Sequence, residues 1–450
     1  VTIDACYLEP AMSNRPLGIG EQLFARLSEK SSNNAILVVV LRGAIDRERF
    51  RQAFDRASQL YPTVGARVTV KDERECLEFR QGVKGELRIL DREGPEHWRR
   101  IVEEELDRHI PATADQLSRA VLLVDGEGGE LVMSSNHVIT DGVSGENFTR
   151  QVLSLYAGAT APRALPPFEA LERLPRRREA WPKRVRNFVS HVRDYAAQSK
   201  RDIFRLPVAQ RPQEGAHGVT RFLPELLDGD TTKRLAAACR SKGATMHGAI
   251  CAALLLALRD ESKAGSPIDI GLSSPVNLRP SLLGDYSEHL GYFAGTVDTV
   301  AKLGPDVDVW ELAHYVNQDM GDKIKKGRPW FDLALRGIFL KKYKTYEEFA
   351  GILREKSRST VLVTNIGRLK GPTSFGGLEL AHRFHVPSCH FLGRAYVVLA
   401  AATVGDVMRM TFCYSTPYTD VAMVERIARG TLERLRKLAE AAPEAAKDVG

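Results

Sequence analysis

"MSSNHVITDGVSG", Met133 to Gly145, sets the problem. The strand-like run "ELVMSSN" ends at His137, Asp141-Gly142 lies four residues on, and "GENFTRQVLSLYAG" continues as an amphipathic helix with a glycine stop. A histidine, with an ordinary pKa of about 6.5, suits a general base near neutral pH. To act, one ring nitrogen must face a cavity while the other is fixed in a single tautomer, and the end of a strand holds a ring in that way. Asp141 has two possible tasks: orienting the imidazole, or folding away to hold the loop through an arginine. Gly142 lets the backbone turn sharply and approach a ligand closely. Spacing alone leaves a buried structural histidine and a catalytic base both open.

Outward from this stretch the chain alternates strand and helix signals. "AILVVVL" (Ala35–Leu41) reads as a buried strand. "AIDRERFRQAFDRASQLYP" follows as a helix with Phe50, Phe54, Ala57 and Tyr61 on one face and Asp46 as its cap. "GARVTV" and "CLEFR" are short strands, and "PEHWRRIVEEELDRHI" is a helix. "AVLLV" and "ELVMSSN" are strands about the "DGEGGE" turn. "APRALPPFEALERLPRRREAWPKR" breaks the pattern with prolines and charge. The alternation resumes near Gly218. Thr245 caps an apolar helix, "ATMHGAICAALLLAL". "IDIGLSSPVNLRP", "GYFAGTVDTV", "TVLVTNIG", "YVVLAAATV" and "DVMRMTFCYS" are strands, and a long helix from Asp420 closes the chain. The expected architecture is α/β, of the α+β two-layer kind. An N-terminal half (1–170) carries the opening stretch, 171–215 is a basic Pro-containing connector, and 216–450 is a C-terminal half.

At 450 residues, 43% hydrophobic and 27% charged, the composition is that of a globular protein. The formal charge of +7 is localised. Leu171–Leu206 holds eleven Lys/Arg against four acids, an excess equal to the whole net charge. Such a segment either attracts an acidic partner or is a solvated linker helix. No aromatic platform, zinc module or reading helix accompanies it, so nucleic acid is not expected. No apolar run approaches the ~20 residues of a membrane helix, and the opening residues, "VTIDACYLEP", lack the features of a signal peptide. The six cysteines are scattered without a C-x-x-C pair, which reads as reduced cytoplasmic cysteine used for packing. "HRFHVPSCH" (His382–His390) lacks metal-ligand spacing and reads as a strand with a Pro-containing turn. His247 reads as structural, and Tyr292 and Phe293 as core or cavity wall.

"NHVITDGVS" resembles the His-His-x-x-x-Asp-Gly-x-Ser motif of the thioester-dependent acyltransferases of chloramphenicol acetyltransferase-like fold. These include peptide-synthetase condensation domains and the mycobacterial polyketide-associated acyltransferases. The second histidine of the motif falls on His137, the aspartate on Asp141, the glycine on Gly142 and the serine on Ser144, while Asn136 replaces the first histidine. "DRERFRQAFDRASQLYPTVGARV" is similar to the family's first helix and following strand. "SSPVNLRP" resembles its Pro-Val-x-x-Arg segment, ending at Arg279. "LGYFAGTV" resembles a Gly-x-Phe segment, with Gly295 where condensation domains carry Asn. "VTNIGRL" resembles the Thr-Asn-x-Gly of the loop that crosses between halves. The Asp-Phe-Gly-Trp-Gly motif of the plant branch is absent.

The resemblance implies two chloramphenicol acetyltransferase-like halves forming a V, with a tunnel at their interface. A thioester donor and an acceptor would enter from opposite sides, and the acyl group would move directly, with His137 as base. The Gly142 N–H is the first candidate for the oxyanion, with Thr364 and Asn365 behind it. Asn136 and Ser144 are further substrate-contact candidates. Asp141 would pair with an arginine, Arg279 first and Arg67 second. No metal or bound cofactor is implied; acyl-CoA or a phosphopantetheinyl thioester is the co-substrate. The acceptor would be a hydroxyl or amine of a small molecule, lipid- or polyketide-like, and the length of the basic connector favours a donor on an acidic acyl carrier protein. A cytoplasmic monomer is expected. A standalone condensation enzyme differs mainly in donor and acceptor. A catalytically silent binding or scaffolding member of the fold is the other class, and intact His137, Asp141, Gly142 and Arg279 favour the enzyme.

Overall fold

Ala35–Leu41 is apolar throughout because both faces of its strand are covered. The computed structural model describes residues 14–80, 82–177, 180–211 and 218–441. Cys6, Arg178 and the 215/216 boundary expected from the sequence lie outside these. The strand spans Asn34–Arg42. Leu37, Val39 and Leu41 enter one core, while Ile36 and Val38 enter another, as period-two alternation requires. It is the third of six strands, in the spatial order Ser374–Phe375, Leu378–Pro387, Asn34–Arg42, Gly128–Asn136, Ser118–Val124, Glu86–Asp91. The helices Arg47–Leu60 and Gly142–Tyr156 contribute Phe50, Phe54, Phe148 and Leu153 to the first core. Asp46 caps the former by accepting from Arg49 N at 3.0 Å. The helix His97–Asp107 sets Ile101 and Val102 against the other face.

The second sheet runs Ala294–Leu303, Ile268–Asn277, Val361–Arg368, Val397–Val404, Val407–Thr416, Val219–Leu227. Its outer face is packed by the helices Met246–Ser262 and Val421–Glu440. The former is buried nearly all round, so its sequence is apolar on every side rather than along a stripe. Thr245 caps it through Gly248 N at 3.0 Å. The inner faces of the two sheets meet. Ile36, Val38 and Val132 from the first share a core with Phe222, Val398 and Cys413 from the second.

Two expectations need correction. "VTNIGRL" is not a crossing loop. It lies in the strand Val361–Arg368, parallel to Val397–Val404, with a bulge between Asn365 and Gly367. The crossing comes afterwards, where Leu378–Pro387 pairs antiparallel with Asn34–Arg42 of the other half before the chain returns. The residues 216–450 therefore do not own all their strands, because a strand's partner is chosen by tertiary packing rather than by its local pattern. The connector also contains a 19-residue helix, Trp181–Ser199. The helices Ile19–Leu27, Arg328–Lys342 and Tyr346–Lys356 and the strand Val219–Leu227 had no reading from sequence.

Leu254 is fully buried in the core helix Met246–Ser262. Leu254→Ala should lower the unfolding free energy by about 2–5 kcal/mol, read from urea denaturation. A loss under about 1 kcal/mol would show that this helix is not packed as described.

Candidate active site

The strand Gly128–Asn136 ends in a turn built by its last residue. Asn136 is fully buried; its Oδ1 accepts from Val138 N at 2.9 Å and its Nδ2 donates to Ile110 O at 2.8 Å. It is an Asx-type turn former and does not line the cavity, so the substrate contact expected of it is corrected. The turn presents His137 to a cavity of ≈ 300 Å³ between the halves. Its walls include Leu37 and Gly142 from the first half, Thr296 and Thr364 from the second, and His385 and Cys389 at the crossover.

His137 Nδ1 lies 3.2 Å from Thr140 O. A carbonyl only accepts, so Nδ1 carries the proton and Nε2 keeps a free lone pair. The ring stacks on Phe24, with centroids 4.6 Å apart and planes at 24°. Burial pushes its pKa below the ordinary histidine value. The Thr140 carbonyl and Asp141 offset this in part, and His385 adds to it. The imidazole is therefore neutral at pH 7.

Asp141 does not touch the imidazole. Its Oδ2 accepts from Arg279 Nη1 at 2.7 Å and from Phe293 N at 3.0 Å. Its Oδ1 accepts from Ser144 N at 2.9 Å and from Arg279 Nη2 at 3.2 Å. Arg279 also donates to Tyr286 O and His289 O and lies over the Phe293 ring. Burial alone would raise the Asp141 pKa, but the Arg279 guanidinium and the Ser144 bonds outweigh it and hold the carboxyl below its usual range. Arg67, the second choice for this pair, instead binds Glu78 and Asp115 near the surface. Ser144 is corrected as well: its Oγ lies within 3.1 Å of Asp141, Gly291 and Arg279, which locks it into the same network.

Gly142 opens the helix Gly142–Tyr156 directly beside the cavity, and its N–H has no partner among the described residues. Such an amide, at the positive end of a helix, is a ready donor for an oxyanion. A Cβ here would come within 2.3 Å of Ile366 Cδ1, so a larger residue would have to displace the tip of that side chain. Thr364 lines the cavity, whereas Asn365 does not and caps the bulge through Gly367 N at 2.9 Å. The histidines of "HRFHVPSCH" diverge: His385 faces the cavity and lies 3.6 Å from Glu146, while His390 meets Thr220. Phe24, Tyr292, Arg336 and His385 are cavity residues without a sequence assignment to a site. Only Tyr292, read as core or wall, and His385, in a strand and turn near the tunnel, had local signals.

A family model of the phthiocerol/phthiodiolone dimycocerosyl transferase C-terminus matches residues 221–416. No curated protein sequence matches significantly. Solved structures align over nearly the whole chain. SgcC5 of Streptomyces globisporus is 15% identical, with 95% of this chain and 99% of that one covered at a TM-score of 0.69. Polyketide synthase associated protein 5 of Mycobacterium tuberculosis is 17% identical, with 94% and 97% covered at 0.64. TRI3 trichothecene 15-O-acetyltransferase of Fusarium sporotrichioides is 12% identical, with 94% and 95% covered at 0.72. The chain shares the two-lobed fold of these three structures. In this fold His137 and the Asp141–Arg279 pair lie where the two halves meet.

Asp141→Asn removes the charge that compensates a buried guanidinium. The variant should lose about 3–5 kcal/mol of stability, measured by denaturant unfolding, and the acid limb of any residual activity should lie at or slightly below the parent's, because the Asp141 charge raises the His137 pKa only in part. Parental stability with a displaced acid limb would mean that Asp141 acts on the imidazole directly.

Proposed function

We propose that the chain is an acyltransferase that moves an acyl group from a thioester directly to a hydroxyl or amine of a small molecule. The observation that carries this is His137: a neutral imidazole with Nδ1 tied to a carbonyl, its base nitrogen free, beside an unpaired helix N-terminal amide. In the proposed step His137 Nε2 takes the acceptor proton as the acceptor oxygen or nitrogen bonds to the thioester carbonyl carbon. The tetrahedral oxyanion is received by the Gly142 N–H. Its collapse breaks the C–S bond, and the imidazolium returns the proton to the thiolate, so an ester or amide and a free thiol leave. Cys389, the thiol in the cavity wall, has its pKa pushed up to about 12 by burial, against a smaller lowering by Thr220. It stays a protonated thiol, which favours direct transfer over an acyl-enzyme.

The donor class is supported by a second cavity of ≈ 550 Å³, lined by Arg205, Arg211, Arg354 and Arg394. Leu353, Leu392 and Tyr396 line the His137 cavity, while Arg354 and Arg394, within two residues of them in the chain, line this one. Arg394 is buried and donates to Ser357 and to the Ser359 carbonyl. Among the described residues, the hydrogen bonds of Arg205 and Arg354 go to backbone carbonyls. Burial lowers the Arg394 pKa, and the neighbouring Arg205 and Arg354 lower it further, against a raising by Tyr396. A cluster of four arginines suits the phosphates of CoA or the phosphodiester of a carrier-borne pantetheine arm.

Thiol release from acyl-CoA across a panel of hydroxyl and amine acceptors tests the reading. His137→Ala, folded as judged by its melting temperature, should lose about 10²–10⁴-fold in kcat. A variant keeping more than about a tenth of the activity would exclude His137 as the base. The base works unprotonated and its pKa is lowered, so activity should hold as pH falls and drop only below about 6.5. An acid limb above that value would contradict the assignment. Arg354→Ala should raise KM for acyl-CoA about tenfold and leave a phosphate-free N-acetylcysteamine thioester unaffected. Equal effects on both donors would remove the arginine pocket from donor binding while leaving the His137 reading intact.

A further inference from the structure

The connector helix Trp181–Ser199 is built inside out. The side chains it buries are polar: Asn187, and His191, whose Nε2 lies 2.9 Å from Lys326 O. Its apolar side chains are largely exposed, with Phe188 also meeting the Phe331 ring edge-on at 5.5 Å. Trp181 is 73% exposed, Phe188 56% and Val189 59%, with Val185, Val192 and Tyr195 also exposed. These six positions follow the i, i+4, i+7, i+8, i+11, i+14 spacing of a single helical face. They form an unbroken stripe about 21 Å long. Exposed arginines flank it, Arg184 along one edge and Arg186 and Arg193 along the other. Asp194 falls on the far side of the helix by the same spacing. A soluble helix packs its apolar side inward, so this one keeps its apolar side for something else.

We propose that this helix docks the enzyme onto an anionic phospholipid surface, lying in the plane of the interface. Three features select lipid. The stripe is apolar over its whole length, which suits a fluid hydrocarbon boundary. Trp181 and Tyr195 stand at its two ends, and their amphipathic rings favour the headgroup level. The flanking arginines complement acidic headgroups. A second copy of the chain would bring the arginine edges of two helices together, and that repulsion disfavours a self-association face. An acidic carrier would satisfy the arginines but would have to cover a long, convex apolar ridge as well. The helix lies on the membrane and does not cross it; no single helix among the described residues is long and apolar enough to span one.

The full chain is floated through a density gradient with phosphatidylcholine vesicles, with and without phosphatidylglycerol. It should rise only with the anionic vesicles and be released by salt. Tryptophan emission should shift to the blue on binding, and Trp181→Phe should remove the shift. Val185→Glu with Val189→Glu, and separately Arg186→Glu with Arg193→Glu, should each weaken vesicle binding at least about tenfold. Both double variants should keep the parent's melting temperature, because these side chains face solvent. Failure of the parent chain to float with anionic vesicles overturns the proposal. So does undiminished binding by both double variants. Self-association, or binding of an acidic carrier protein, that the valine variant abolishes while vesicles are ignored, would assign the stripe to a protein partner instead.

Discussion

The Asp141–Arg279 pair is the constraint around which the site is assembled. It is buried, two-pronged, and joins an aspartate of the first half to an arginine of the second. Neither ion could be buried alone at tolerable cost, so each fixes the other's place. Asp141 is at once the cap of the helix Gly142–Tyr156, the acceptor for Phe293 N and the partner of Arg279. One carboxylate thereby sets three segments in register. The turn that presents His137 is anchored behind by Asn136 and ahead by Asp141, which leaves the imidazole little freedom to rotate.

This arrangement separates tasks that a catalytic triad would combine. The tautomer of His137 is set by a backbone carbonyl, that of Thr140, and not by a carboxylate. A carbonyl carries no full charge, so it stabilises the imidazolium less than an aspartate would, and burial keeps the ring neutral. Aspartate chemistry is spent on architecture. Ser144 is drawn into the network for the same reason: its hydroxyl is already committed to Asp141, Gly291 and Arg279.

Much of this was legible in the sequence. Strands buried on both faces announced themselves as unbroken apolar runs, and Asp46 and Thr245 marked their helix starts with the residue types that accept N-terminal amides. His137, Asp141 and Gly142 stood out because a strand end, a turn and a helix start coincide there. Choices among equals were not legible. Arg67 and Arg279 are both plausible partners for a carboxylate until the fold brings one of them across the interface. Asn136 and Ser144 are polar residues beside a base, and only geometry shows that each is consumed by the backbone or the ion pair. The crossover strand Leu378–Pro387 reads locally like any other strand; its partner lies more than three hundred residues earlier, where no local pattern reaches. His385 and Phe24 enter the cavity by that same long-range assembly.

The excess positive charge was visible as a number but not as two different things. At the connector's end Arg205 and Arg211 line a pocket together with two arginines from outside the connector, Arg354 and the buried Arg394. Along Trp181–Ser199 the charge is exposed and borders an apolar ridge. The same side chain behaves differently in the two places. A buried guanidinium interacts strongly and selectively with one anion because little water screens it. An exposed one adds only a modest, salt-sensitive attraction, which becomes useful when several act together over a surface. Charge concentrated in a pocket suits a ligand with a phosphate at a defined distance from its reacting carbon. Charge spread beside an apolar stripe suits a surface without fixed positions. One connector thus runs from a feature suited to a single small molecule carrying an anion to one suited to a sheet of them.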